Sequence, residues 1–262
     1  MTLSLEVKTH KPPRILIYGP AGLGKSTFGA LADSPVFIQT EDGLSAIDVP
    51  AFPLAKSYKE VMGYLGELCT KDHAFKTLVI DSVDWLEPLI WSQICSENNV
   101  PTIEKAGGGY GKGFTMALDL WREYIMALDY LRDHKNMTII QIAHAQIKKF
   151  ENPETESYDR YEIKLHKAAA AKLQEHSDIV LFVNYFVGVT KEDKAFSKDG
   201  RKRAVGAGER VLYTQERPAA VAKNRYGLPE EIPFDKNGTY WNVIAGCVPF
   251  YNQTQVKEKK HG

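Results

Sequence analysis

Five stretches of the chain are almost unbroken in apolar residues: 14–18, 35–39, 76–81, 137–143 and 178–183. Runs such as Leu78-Val79-Ile80 and Ile179-Val180-Leu181-Phe182-Val183 offer no polar face to solvent, which suits parallel strands covered on both sides. Between them the apolar spacing lengthens to that of helices. Ser57-Tyr58-Lys59-Glu60 has the spacing of a capping box and predicts a helix to about residue 71, with Val61, Leu65 and Leu68 on one face. Further helices are predicted over 26–32, 84–98, 115–134 and 167–176; the second is broken or started at Pro88, with Trp85, Leu89 and Ile90 as core candidates. Residues 161–165 alternate like a strand, whereas 144–159 read as a polar, charged loop. After residue 187 the pattern predicts a charged hairpin with a flexible tip, a short segment at 219–223 and a closing strand near 240–244. Strands alternating with helices, then hairpins, predict one α/β domain with a mainly parallel sheet flanked by helices and antiparallel strands at its C-terminal end. Its expected bounds are 14–250, with an N-terminal arm over 1–13 and a flexible tail over 251–262.

The first apolar run leads into Gly19-Pro20-Ala21-Gly22-Leu23-Gly24-Lys25-Ser26-Thr27. Strand, glycine loop and helix in that order, with G-x-x-x-x-G-K-[ST] spacing, make a P-loop. Its glycines let successive backbone N–H groups turn inward on a phosphate. Lys25 is expected to reach the β- and γ-phosphates of ATP, Ser26 to ligate Mg²⁺ and Thr27 to touch the α-phosphate.

Thirty-three basic and thirty-three acidic residues cancel, so no global field draws nucleic acid, and DNA binding has to come from local patches. One such cluster runs from Lys198 to Arg225; a solvated hairpin would look the same. Three scattered cysteines without C-x-x-C spacing suggest neither a disulfide framework nor zinc. No apolar stretch approaches the roughly 18 residues of a membrane span, and the first ten residues lack a signal-peptide core, so the expected place is the cytoplasm, with no membrane partner.

The third apolar run ends at Asp81, the position of a Walker B carboxylate that holds Mg²⁺ through water, and the next residue is Ser82 instead of the glutamate of many ring-forming AAA ATPases. Glu41, in Thr40-Glu41-Asp42-Gly43 at the end of the second strand, is then the expected catalytic carboxylate, with Asp42 competing. In this the chain resembles RecA-like ATPases, in which a Thr-Glu here activates water. That resemblance extends to the fourth strand, whose end at His144-Ala145-Gln146 makes His144 or Gln146 the γ-phosphate sensor. It also places two DNA loops. The glycine-rich 107–113 stretch, expected to be mobile without a ligand, would bind through Lys105, Tyr110 and Lys112. The second would use Lys148, Lys149 and Phe150, against the opposing charge of Glu151, Glu154, Glu156 and Asp159.

Lys223-Asn224-Arg225-Tyr226-Gly227 is similar to the Lys-x-Arg-x-Gly stretch of hexameric helicases of the DnaB type, where both cations reach a neighbouring subunit's γ-phosphate. Taken together, these motifs resemble the RecA-like Sak group of phage single-strand annealing proteins over residues 14–244. The resemblance implies an ATPase core with ATP and Mg²⁺, single-stranded DNA and a single-stranded DNA-binding protein as partners, and self-assembly into a filament or ring with ATP hydrolysed between subunits. Two other classes share the P-loop: a DnaB-like helicase or translocase, and a P-loop kinase or nucleotide switch without DNA contacts.

Overall fold

The computed structural model describes residues 9–152, 156–186, 188–190, 203–205 and 208–252. Its centre is five parallel strands in the spatial order β6 (Ile179–Tyr185), β1 (Arg14–Gly19), β4 (Thr138–Phe150), β3 (Thr77–Asp81) and β2 (Pro35–Gln39). These are the five apolar runs, and Ile15 to Tyr18 of β1 are fully buried because the strand has a covered neighbour on each edge and helices on each face.

The two faces follow from alternation along the strands. Leu16, Tyr18, Leu78, Ile80, Val180 and Phe182 pack under α2 (Tyr58–Thr70), α3 (Val83–Glu97), α4 (Lys112–His134) and α5 (Lys167–His176). Ile15, Ile17, Val79, Leu181 and Val183 pack under α1 (Lys25–Ala30) and α6 (Tyr240–Cys247). Antiparallel strands extend the sheet beyond β6: β9 (Arg210–Tyr213) pairs with its second half, β10 (Lys223–Asn224) with its first, and β11 (Glu231–Pro233) lies outside β9. β7 (Gly188–Thr190) and β8 (Arg203–Val205) form a separate ribbon. The mainly parallel sheet flanked by helices, with antiparallel strands at its C-terminal end, is the α/β arrangement the sequence predicts.

Several details differ. The expected closing strand near 240–244 is α6: Asp235 accepts hydrogen bonds from the Asn237 and Thr239 backbone and from the Thr239 hydroxyl, setting up a helix whose buried Tyr240, Ile244 and Val248 recur every four residues. Residues 144–150 are no loop. They continue β4, which leaves the sheet and pairs antiparallel with β5 (Tyr158–Ile163), Lys148 opposite Arg160 and Lys149 opposite Asp159. Pro88 neither starts nor breaks α3, and Trp85 is 49% exposed, because the helix buries Val83, Leu86, Ile90 and Ile94 and turns Trp85 outward. The glycine-rich stretch carries more structure than expected: a 3-10 segment, Ile103–Gly108, buries Ile103 and Ala106, and α4 already begins at Lys112.

The other end of the strands is closed by an ion cluster. Arg14 donates to Asp178 at 3.0 to 3.1 Å and to Asp129 at 3.0 Å, and Arg225 reaches Asp178 at 3.1 Å. Burial alone would raise the Asp178 carboxyl, but the Arg14 hydrogen bonds and charge hold it below its ordinary value. Residues 1–8 of the expected arm, 253–262 of the expected tail, and Lys198, Arg201 and Lys202 of the basic cluster lie outside the described residues.

Candidate nucleotide site

β1 delivers the P-loop at Gly19, where any side chain would force the strands to shift: a Cβ would stand 2.3 Å from the Val183 carbonyl oxygen on β6. The loop ends at Gly24 with φ +96°, a left-handed conformation glycine adopts without strain, and α1 starts at Lys25. Lys25 is 5% exposed and folds back over its own loop, its Nζ donating to the Gly19 carbonyl at 3.1 Å and the Pro20 carbonyl at 2.8 Å. Burial lowers its pKa against the pull of Asp81, Asp84 and Glu41. A cation surrounded in this way by acids and by easily surrendered carbonyl bonds is suited to taking phosphate oxygens.

Ser26, the next residue, donates from Oγ to Asp81 Oδ2 at 2.7 Å, joining α1 to the end of β3. Burial raises the Asp81 carboxyl, which the Ser26 bond partly offsets. One hydroxyl and one carboxylate side by side are hard oxygen donors, the set that Mg²⁺ takes together with phosphate oxygens. Residues present therefore fit that ion.

The ends of β2 and β3 are tied by Thr40. Its N–H donates to the Asp81 carbonyl at 2.8 Å, its hydroxyl donates to the Ser82 carbonyl at 2.6 Å, and it accepts from the Ser82 N–H at 3.0 Å. The tie sets Glu41 beside the same edge, with Glu41 Oε2 3.4 Å from Ser82 Oγ and 3.9 Å from His144 Nδ1. Asp42 is exposed. His144, one residue past the buried end of β4, is held by a side chain that sequence reasoning treated only as the start of a helix. Asp84, in the first turn of α3, accepts from the His144 N–H and faces its Nδ1, each at 3.0 Å. Burial opposes ionisation of Asp84, yet the His144 bonds and charge keep its pKa below normal. An acid three residues after the Walker B position was the available signal. Gln146 is turned elsewhere: its Nε2 donates to the Ile163 carbonyl at 2.9 Å, inside the β4–β5 hairpin.

A second unforeseen side chain is Arg210 on β9. Its Nη1 donates to the Leu23 carbonyl of the P-loop at 2.7 Å, and its guanidinium lies 5.3 Å from the Phe234 ring centroid. Sequence reading placed it only in a basic cluster, because nothing local says that β9 runs beside β6.

Lys223 and Arg225 lie far from this edge. β10 pairs with Ile179 and Val180 at the start of β6, about 15 Å from the P-loop end at the usual rise per strand residue. Lys223 Nζ donates to the Gln174, Glu175 and Ser177 carbonyls, closing the C-terminus of α5, whereas Arg225 is half exposed on Asp178. Of the DNA-contact candidates, Lys105, Tyr110, Lys112 and Lys149 are exposed and Lys148 is half-buried. Phe150 is engaged by its own hairpin, with Arg160 5.0 Å from its ring centroid and Tyr158 5.5 Å away.

Comparison with known proteins gives a family model described as an AAA domain that matches residues 11–226. A Bacillus subtilis (strain 168) protein, the SPbeta prophage-derived uncharacterized protein YorG, is 26% identical over 174 residues, covering 65% of this chain and 50% of that one, so the chain spans about half the length of this relative. The crystal structure of the RadB recombinase aligns over 87% of this chain and 90% of that chain, at 16% identity and a TM-score of 0.46. With a P-loop at its centre and the family model spanning well over half its length, the chain belongs to the AAA-domain family.

Proposed function

We propose that the protein is a Mg²⁺-dependent ATPase that binds single-stranded DNA and acts as a phage-type recombinase or annealing protein. The observation that carries the ATPase is the meeting of Lys25, Ser26–Asp81 and Glu41–His144–Asp84 at one edge of the parallel strands. Lys25 exchanges its loop carbonyls for phosphate oxygens. Ser26 and Asp81 would hold Mg²⁺, which when bound would supply charge neutralisation for the phosphates. Glu41 accepts a hydrogen bond from the attacking water, and His144, clamped by Asp84, presents its ring to the γ-phosphate side; Gln146, bound within the hairpin, is the less suited sensor.

DNA binding draws support from Lys105, Tyr110 and Lys112 on the glycine-rich segment and from Lys148 and Lys149 on the hairpin, with Phe150 less available. The prophage origin of the YorG relative agrees with a phage role, and a single-stranded DNA-binding protein is the natural co-factor of such a reaction. A site completed by a neighbouring subunit in a filament or ring would use Arg225, which is half exposed; Lys223 would first have to leave three carbonyls.

The test is ATP hydrolysis by the purified protein with and without single-stranded DNA, at two protein concentrations. Stimulation by DNA, with turnover per subunit rising with concentration, is the expected result. Hydrolysis indifferent to both would refute the DNA and interface parts; no hydrolysis and no ATP binding would refute the whole.

A further inference from the structure

The acids that define the phosphate end of the site come from just past β2 (Glu41), the end of β3 (Asp81) and the first turn of α3 (Asp84), on one side of the P-loop. The other side is bounded by β6 and β9. There the sheet presents a row of three residues on the α1 face: Tyr185 at the end of β6, Arg210 directly opposite it on β9, and Phe234, whose N–H donates to the Arg210 carbonyl at 2.8 Å. Their common face is fixed by register, because Val183 and Leu212, two pairs further in, belong to the core beneath α1. Phe234 is buried, Arg210 is spread over it and tied to the Leu23 carbonyl, and Tyr185 is left 49% exposed at the end of the row. Gly24 is part of the fit, since a Cβ there would stand 2.9 Å from Arg210 Nη1.

Tyr185 thus leaves an exposed ring on the β6 side of the P-loop, at the end of a wall tied to that loop by Arg210. A triphosphate anchored at Lys25 with its γ-phosphate towards Asp81 and Glu41 must send its ribose and base the opposite way. We propose, resting on the nucleotide reading above, that Tyr185 is the base-stacking residue of the site, on a wall that Arg210 ties to the P-loop through the Leu23 carbonyl. The ligand class is a nucleoside triphosphate recognised by its ring face as well as by its phosphates.

The experiment is calorimetric titration of the full chain with ATP and, separately, with inorganic tripolyphosphate, both with Mg²⁺, for the wild type, Tyr185→Ala, Tyr185→Trp and Lys25→Ala. Loss of one aromatic stacking partner weakens base binding roughly 5- to 100-fold. Tyr185→Ala is expected to lose that factor for ATP and none for tripolyphosphate, with Tyr185→Trp restoring ATP binding. Unchanged ATP affinity in Tyr185→Ala, or equal losses for both ligands, would overturn the base wall. The nucleotide reading is judged separately: if the wild type binds neither ligand, or Lys25→Ala binds both normally, that reading falls and takes the base wall with it.

Discussion

Glu87 offers a stability test that needs no ligand. It sits on α3 at 6% exposure, both carboxyl oxygens accepting from the His166 N–H at 3.0 and 3.1 Å where α5 begins. Burial is the main cause that pushes its pKa up to about 7; the His166 bond opposes it, the nearby Asp84 charge adds to it, and Lys148 opposes it. From an ordinary value of 4.5, that rise corresponds to about 3 kcal/mol between the two protonation states. In the folded protein the proton is held more tightly than in the unfolded chain, so this contribution is complete below pH ~4.5 and is lost as pH rises to about 7. Glu87→Gln keeps a carbonyl acceptor for His166 and cannot ionise. Denaturant unfolding of both proteins between pH 5 and 8 should therefore show the variant gaining on the wild type as pH rises, by about 2.5 kcal/mol across the window. Other titrating groups cancel in that difference. A difference independent of pH, or one that grows towards acid, would refute the reasoning.

Three further outcomes follow from the geometry. Glu41→Gln should leave ATP binding intact and lower turnover by about 10²–10⁴, the range of a positioned general base, while Asp42→Asn leaves it near wild type; the reverse ranking in a steady-state assay would make Asp42 the base. Gly19→Ala drives a Cβ into the Val183 carbonyl and should destabilise the protein by about 1–3 kcal/mol, read as a lower unfolding midpoint, and an unshifted midpoint would mean that the strand ends are looser than described. Asp178→Asn strips the buried partner of Arg14 and should cost about 3–5 kcal/mol at pH 7. Because the Asp178 pKa is held down, its contribution is present above the ordinary carboxylate range and fades as pH falls through the lowered value, so wild type and variant should converge in acid.

The five parallel strands were readable because a strand buried on both faces must be apolar throughout, and the P-loop because its spacing leaves few other structures. Local signals failed where the answer depended on a distant neighbour. Residues 144–150 mix Ile147 with Lys148 and Lys149 and have no core face, so only the pairing with β5 makes them a strand. Asp84 looked like a first-turn acid, which it is, and nothing nearby announces that its carboxylate holds His144 sixty residues later. Arg210 belongs to the site only through the β6–β9 register, and Tyr240 to Ile244 was misread as a strand because five mostly apolar residues suit either period.

The length of β4 has a mechanical meaning. Up to Ile142 the strand is clamped between β1 and β3, and from Ala145 onward its ladder partner is β5. Its outer half is a two-stranded ribbon, anchored near the root where the Tyr161 N–H donates to the Ala219 carbonyl and Arg160 to Glu216. His144 stands at the root and Phe150 lies six residues out, about 20 Å away at the rise of a strand. A tilt of about 10° at the root therefore carries the ribbon's outer end about 3 Å sideways. Lys148 and Lys149 lie on this outer half, on the same unbroken strand as the histidine, so any such tilt is passed to them directly.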